Sequence, residues 1–342
     1  MKKLMNTLFV TTQGAYLAKK EETVLVRADG ETRLRLPIHT LEGIVCFGNV
    51  SCSPFLMGLC GQRGVGISFF TENGRFLARV KGPVSGNVQL RKIQYQHSED
   101  PILAAAISQA IVIAKIANCR TVLLRGAREE HIQTKVQLTE GATQLGLILD
   151  ELKRPMDLDT LRGKEGEAAR SYFGAFSGLI SSQKDSFPFQ GRNRRPPLDR
   201  VNALLSFVYT LLCHDVNNAL EGVGLDPQVG FLHRDRPGRP SLALDLMEEF
   251  RSGIADRLVL SLINRKQISP EGFSVKESGA VMMDEEIRKT VLMAYQKRKQ
   301  EIVTHPLLNE KIALGLIPHT QALLMSRYLR GDLEGYPPYR WR

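Results

Sequence analysis

The feature that most limits the fold is a change of hydrophobic period near Ser98-Glu99-Asp100-Pro101. Before it, apolar and polar residues alternate in short runs, as strands with one buried face require. After it, apolar residues recur at helical spacing, and residues 102–117 read as one long apolar helix. In the first segment, Thr23-Val24-Leu25-Val26-Arg27 passes through Ala28-Asp29-Gly30-Glu31 into Thr32-Arg33-Leu34-Arg35-Leu36. Asp-Gly between alternating runs predicts a hairpin, because a two-residue turn needs positive φ. Residues 44–47, 66–70 and 75–80 read as further strands, and Ser53-Pro54 opens a short helix through Cys60. The expected class is α+β. A small β-rich N-terminal domain over 1–97 is followed by a larger all-α domain over 98–330. The tail 331–342 contains Gly335-Tyr336-Pro337-Pro338, cannot be helix, and is expected to be flexible.

With 342 residues the chain suits two domains, and 43% hydrophobic residues suffice for real cores. The 46 Lys+Arg against 36 Asp+Glu leave a net charge of +10, which favours a polyanionic partner, nucleic acid before membrane. Cys46, Cys52, Cys60, Cys119 and Cys213 form no Cys-x-x-Cys pair, which argues against a zinc site or disulfide framework and fits a reducing cytoplasm. There is no signal-like start and no run of 18 apolar residues, so no membrane span is expected. Without a Gly-x-x-x-x-Gly-Lys-Ser/Thr loop, ATP hydrolysis has no support.

Four residues carry the chemical signal. Leu161, Glu165, Ala168, Ala169, Tyr172, Phe173, Phe176 and Ile180 follow helical spacing, and Glu165 is the one carboxylate on that apolar stripe. A charge there costs on the order of several kcal/mol unless it is paired or coordinates a metal. Glu167 falls on the polar side. His233 ends the apolar Gly230-Phe231-Leu232 and faces a loop containing Arg234, Arg236 and Arg239. Asp245 shares a helix face with Glu248 or Glu249, and spacing alone does not choose between the two. Three carboxylates and an imidazole suit Mg2+ or Mn2+. A second basic loop, 186–200, is broken by Gly191 and three prolines. Its Arg192, Arg194, Arg195 and Arg200, with the His233 loop arginines, are candidates for holding phosphates. Asp199 is expected to cap the helix that follows.

These residues resemble a known family. Leu161-Arg162-Gly163-Lys164-Glu165-Gly166-Glu167-Ala168-Ala169-Arg170-Ser171-Tyr172-Phe173 is similar to the glutamate motif of the CRISPR-associated adaptation endonuclease/integrase, the first-numbered Cas protein. Residues 197–207, Gly230-Phe231-Leu232-His233 and Ser241-Leu242-Ala243-Leu244-Asp245-Leu246-Met247-Glu248-Glu249-Phe250-Arg251 follow in the expected order, with a flavour of the subtype I-C branch. The resemblance implies metal ligands at Glu165, His233 and Glu248, with Asp245 as an additional acidic residue, and so selects Glu248 over Glu249. It implies a Mn2+- or Mg2+-dependent DNA endonuclease/integrase that inserts captured fragments as spacers by attack of a 3′-hydroxyl on a repeat phosphodiester. A stand-alone structure-specific nuclease is the alternative. The implied partners are DNA, a second copy of the chain and a small ferredoxin-like adaptation protein. Glu249 stands where the family often has proline and is expected to add a charge near the site.

Overall fold

The computed structural model describes residues 6–82, 88–129 and 132–341. In chain order the strands are β1 (Asn6–Val10), β2 (Tyr16–Lys20), β3 (Thr23–Ala28), β4 (Glu31–Pro37), β5 (Leu41–Phe47), β6 (Ser51–Cys52), β7 (Gly66–Phe70), β8 (Phe76–Val80), β9 (Phe273–Val275), β10 (Val281–Met283), β11 (Ile302–Thr304) and β12 (Lys311–Ala313). The helices are α1 (Pro54–Arg63), α2 (Val88–Glu99), α3 (Pro101–Glu129), α4 (Ile132–Glu151), α5 (Leu158–Ala175), α6 (Arg200–Gly222), α7 (Ser241–Met247), α8 (Arg257–Asn264), α9 (Glu285–Lys299) and α10 (Ile317–Leu329). The chain divides into two compact units, Met1–Ser85 with Met282–Gln300, and Gly86–Val281 with Glu301–Arg342.

The first unit holds two four-stranded sheets, ordered β1-β5-β7-β8 and β4-β3-β2-β6. β5 is an inner strand, parallel to both β1 and β7. Parallel neighbours bury both faces of a strand, and its Leu41, Ile44, Val45, Cys46 and Phe47 are all buried. The expected hairpin is present. β3 pairs antiparallel with β4, and its turn residues Asp29 and Gly30 have φ of 53° and 78°. Ser53 caps α1 by accepting the Leu56 N–H at 3.2 Å, with Pro54 at the first helical position.

Two boundary expectations are corrected. The β-rich unit does not run to residue 97. α2 starts at Val88 and belongs to the helical unit, tied there by Gln94, which donates to the carbonyls of Asp226 and Val229 at 2.7 and 2.8 Å. α2 buries only Leu90 and a glutamine, so it carries little apolar periodicity to read. Conversely, α9 lies far along the chain yet belongs to the β-rich unit, where Gln296 donates to the Thr7 carbonyl at 2.9 Å. The second unit is mostly but not entirely helical, since β11 and β12 form an antiparallel pair.

Its central element is α3. This helix is long and apolar enough to cross a membrane by composition alone, with mean hydropathy 1.8 over its most apolar 18-residue stretch, but that stretch is mostly buried. It packs against α4 and α5 as the core helix of this unit. The tail expected to be flexible is instead packed down. Tyr336 and Tyr339 are buried, and Trp341 lies against Gly253. The tyrosine hydroxyl and backbone amides that sequence left without partners find buried acceptors there.

Candidate active site

α5 is capped by Asp157, whose carboxylate accepts the N–H groups of Asp159 and Thr160. That start phases the helix so that Leu161, Ala168, Tyr172 and Phe176 are buried, with Glu165 half-buried on the same stripe. Glu167 faces outward and pairs with Lys164 at 3.0 Å. The helical phase thus separates the two glutamates as expected.

Glu165 meets a residue that carries no motif. Lys115, in the middle of apolar α3, forms an ion pair with Glu165 and a second with Glu248 at 2.8 Å. Arg251 reaches the other Glu248 oxygen at 3.1 Å. Burial opposes the Lys115 charge, yet the facing Glu248 and Glu165 outweigh it and raise its pKa. Burial likewise disfavours the Glu248 charge, but Arg251, Lys115 and His233 together hold it well below the usual carboxylate range. A lone lysine in an apolar helix is the one signal the sequence offers for Lys115. It does not suffice, because nothing in the sequence says which carboxylates it faces.

Asp245 organises the His233 loop. Its Oδ2 accepts the N–H groups of Phe231 and Leu232 at 2.6 and 3.0 Å. Its Oδ1 accepts the His233 N–H at 3.0 Å and lies 2.6 Å from His233 Nδ1. A carboxylate only accepts, so Nδ1 carries a proton, and Nε2 is the ring nitrogen left to face a ligand. Arg162 of α5 pins the same loop by donating to the Leu232 carbonyl at 2.7 Å. Gly230 permits this wrapping, because a Cβ there would stand 2.7 Å from Asp245 Oδ2.

Glu249 does not add a charge to the site. It turns away from Glu248 and accepts from Tyr336 Oη at 2.7 Å, the Tyr339 N–H at 2.6 Å and Gln321 Nε2 at 3.2 Å. Burial pushes its carboxyl up to about 8, so it is protonated through neutral pH. Following α7, Arg251–Asp256 make one turn of π-helix, a rare geometry that recurs at functional sites. Its far end buries Asp256, which accepts from Tyr172 and Tyr209 hydroxyls at 2.9 and 2.6 Å.

The candidate arginines fare differently. Arg192 turns inward, donates to Asn202 Oδ1 at 2.6 Å and Ser206 Oγ at 3.0 Å, and stacks on Tyr209. Arg200 is likewise occupied by the Ser186 carbonyl. Asp199 caps α6 as expected, accepting the Asn202 N–H at 2.7 Å. Arg194, Arg195, Arg234 and Arg236 are exposed. Arg239 is partly buried, and its pKa is lowered first by burial and then by Arg236, Arg194 and Arg195, with Asp245 opposing. Like charge from Arg194 and Arg195 of the 186–200 loop and from Arg236 of the His233 loop thus bears on Arg239.

Among the described residues, no three His, Cys, Asp or Glu side chains stand around one point closely enough to hold an ion as they are. The centre between Glu165 and Glu248 is taken by the Lys115 ammonium. The donor chemistry nonetheless fits a hard or borderline divalent cation: two carboxylates and an imidazole nitrogen. Glu248 Oε2 is buried against the Lys115 ammonium at 2.8 Å.

A helical unit bearing two glutamates that grip a buried cation and an Asp-oriented histidine defines a class of acid- and imidazole-based site. The family described as CRISPR associated protein Cas1 matches residues 8–297, and the chain belongs to that family. It is 53% identical over 343 residues to a CRISPR-associated endonuclease Cas1 of Chlorobaculum tepidum, covering 100% of both chains. Its fold is similar to that of a casposase bound to integration product, at 22% identity, with TM-score 0.84 and coverage of 99% of this chain and 95% of that one. A chain of a Cas6-RT-Cas1–Cas2 complex has TM-score 0.83 at 22% identity, covering 99% of this chain and 36% of that one. At that identity these two likenesses speak to fold alone.

Proposed function

We propose that this chain is a Mn2+- or Mg2+-dependent DNA endonuclease/integrase of CRISPR adaptation. The observation that carries it is the paired Glu165 and Glu248 around a buried cation, with His233 held by Asp245, in a member of the Cas1 family. The name of the Chlorobaculum relative supports the nuclease activity, and the casposase likeness supports strand transfer.

In this reading Glu165, His233 Nε2 and Glu248 are the ligands. Asp245 is not one, because its lone pairs are spent on three backbone N–H groups and the imidazole. The bound ion supplies Lewis acidity to the scissile phosphate and stabilises charge on the entering and leaving oxygens. Asp245 fixes the tautomer and aim of His233, and Arg162 keeps the loop closed on α5. Arg194, Arg195, Arg234, Arg236 and Arg239 hold the DNA backbone. The 3′-hydroxyl oxygen of a captured fragment forms a bond to the repeat phosphorus, the bond to the former 3′-oxygen breaks, and a new 3′-hydroxyl leaves with the proton. The number of phosphodiesters is unchanged. With water as nucleophile the same site hydrolyses.

The assembly read for it is a homodimer bound to DNA and to a small ferredoxin-like Cas partner, in a prokaryotic cytoplasm. The Cas1–Cas2 complex with the same fold supports that partner class. The test is joining of a labelled 3′-hydroxyl fragment into a repeat-bearing plasmid, with and without Mn2+. Joined product that needs Mn2+ and disappears in folded Glu165→Ala and His233→Ala supports the reading. Cleavage without joining points to a stand-alone nuclease. Wild-type joining by folded His233→Ala rejects the assigned site.

A further inference from the structure

Lys115 is unusual for its place. Its α3 neighbours Ile111, Val112, Ala114 and Ile116 are buried and apolar, and its own side chain is only 10% exposed. A buried ammonium persists only where opposite charge surrounds it. Here that charge is Glu165 from α5 and Glu248 after α7, the two carboxylates read above as ligands. With Arg251 the set is two acids and two bases, electrically balanced without any added ion. A divalent cation entering this set leaves two positive charges in excess, and it needs the oxygens that Lys115 holds.

Of the two bases, Lys115 is the one able to leave. Lysine carries a point charge on a flexible four-carbon stem, whereas the guanidinium fork of Arg251 is rigid and lies over the Tyr209 ring at 5.0 Å. Lys115 meets Glu248 at one oxygen only, Oε2 at 2.8 Å, while Arg251 keeps the other. A cavity of about 20 Å3, room for roughly one water, lies alongside. Its wall is mainly apolar, with Tyr172, Arg251 and Asp256 as polar members, so it gives the displaced stem room to move.

We propose that Lys115 is a resident counter-cation: it holds Glu165 and Glu248 together in the metal-free protein and releases them when a divalent cation binds. It is thus a positioning residue and a built-in competitor that sets the metal affinity of the site. This rests on the metal-ion reading of Glu165, His233 and Glu248.

The test is Mn2+ binding to the full chain, counted as free Mn2+ by electron paramagnetic resonance, for wild type and Lys115→Met, with thermal melts in the same buffers. Lys115→Met is expected to bind Mn2+ at least about tenfold more tightly. It is also expected to melt below wild type without Mn2+ and to gain more from Mn2+ than wild type does. Equal or weaker Mn2+ binding by a folded Lys115→Met overturns this proposal and leaves the metal reading standing. No Mn2+ binding by either protein overturns both. If Lys115→Met does not fold, the wild-type Lys115 Cε resonance, assigned by its loss in Lys115→Arg, is followed on Mg2+ addition. A shift that saturates with Mg2+ binding supports release, and an unmoved resonance overturns it.

Discussion

Asp245 shows how one side chain can matter to a reaction without touching substrate. It is fully buried, and four donors converge on its two oxygens. Asp245→Asn keeps the volume but turns an NH2 toward two of those donors. Strand transfer is expected to fall about 10–100-fold, the usual cost of losing a ligand's orienting partner, with the helical circular dichroism retained. Asp256 makes a separate prediction. Burial pushes its carboxyl from 3.8 up to about 6 despite hydrogen bonds from Tyr209 and Tyr172 and the nearby Arg251 and Arg192. A raised carboxyl contributes stability that is complete below pH 3.8 and is lost as pH climbs through 6. Asp256→Asn lacks that loss. Urea melts across this range are expected to show the variant gaining on wild type as pH rises, then levelling; a constant difference rejects the assignment. Glu165 is legible among such residues because one helix phase suffices to find it. Lys115 is not, since its meaning depends on carboxylates 50 or more positions away along the chain.

At the scale of elements, the π-turn and the C-terminal strap belong together. Asn118 of α3 donates to the carbonyls of Glu249 and Tyr339 at 2.8 and 2.9 Å and accepts the Trp341 N–H at 2.7 Å. Tyr336 and Tyr339 seal Glu249, and Trp341 lies between Gly253 and the Arg257 guanidinium. The strap therefore braces the segment that carries both Glu248 and Arg251. Deleting residues 335–342 removes two donors to Glu249 and exposes an apolar face. At about 1–3 kcal/mol for each buried group left unpaired, the melting temperature is expected to drop by roughly 5–10 °C. Scanning calorimetry checks this, and an unchanged melt would mean that the strap is not held in solution. From sequence the tail reads as loose, because Pro337 and Pro338 bar a helix. Absence of regular structure is not absence of partners, and the partners here are far upstream.

At the scale of the whole molecule, the net charge of +10 has a candidate focus at Arg239, on which the charges of Arg194, Arg195 and Arg236 act. DNA binding is expected to weaken steeply with salt. Arg194→Ala with Arg239→Ala is expected to lower the log-log salt slope by about one for each phosphate no longer neutralised. Binding isotherms at several salt concentrations measure this. An unchanged slope would move the interface elsewhere. The order of the two chain regions is legible in the sequence, because periods of two and of 3.6 are local properties. The same local patterning marks the Asp29-Gly30 hairpin, the caps at Ser53 and Asp199, and the face of Glu165. The membership of α2 and α9 is not legible, because a polar helix and a late helix say nothing locally about what they pack on. By itself, then, the sequence determined the periods, the turns and the candidate acids and imidazole, all set by neighbours a few residues apart. Only the tertiary structure decided that Lys115 stands between Glu165 and Glu248, that Asp245 aims His233, and that Glu249 faces the tail. Charge in a low-dielectric interior is governed by what lies across space, and spacing along the chain does not encode that.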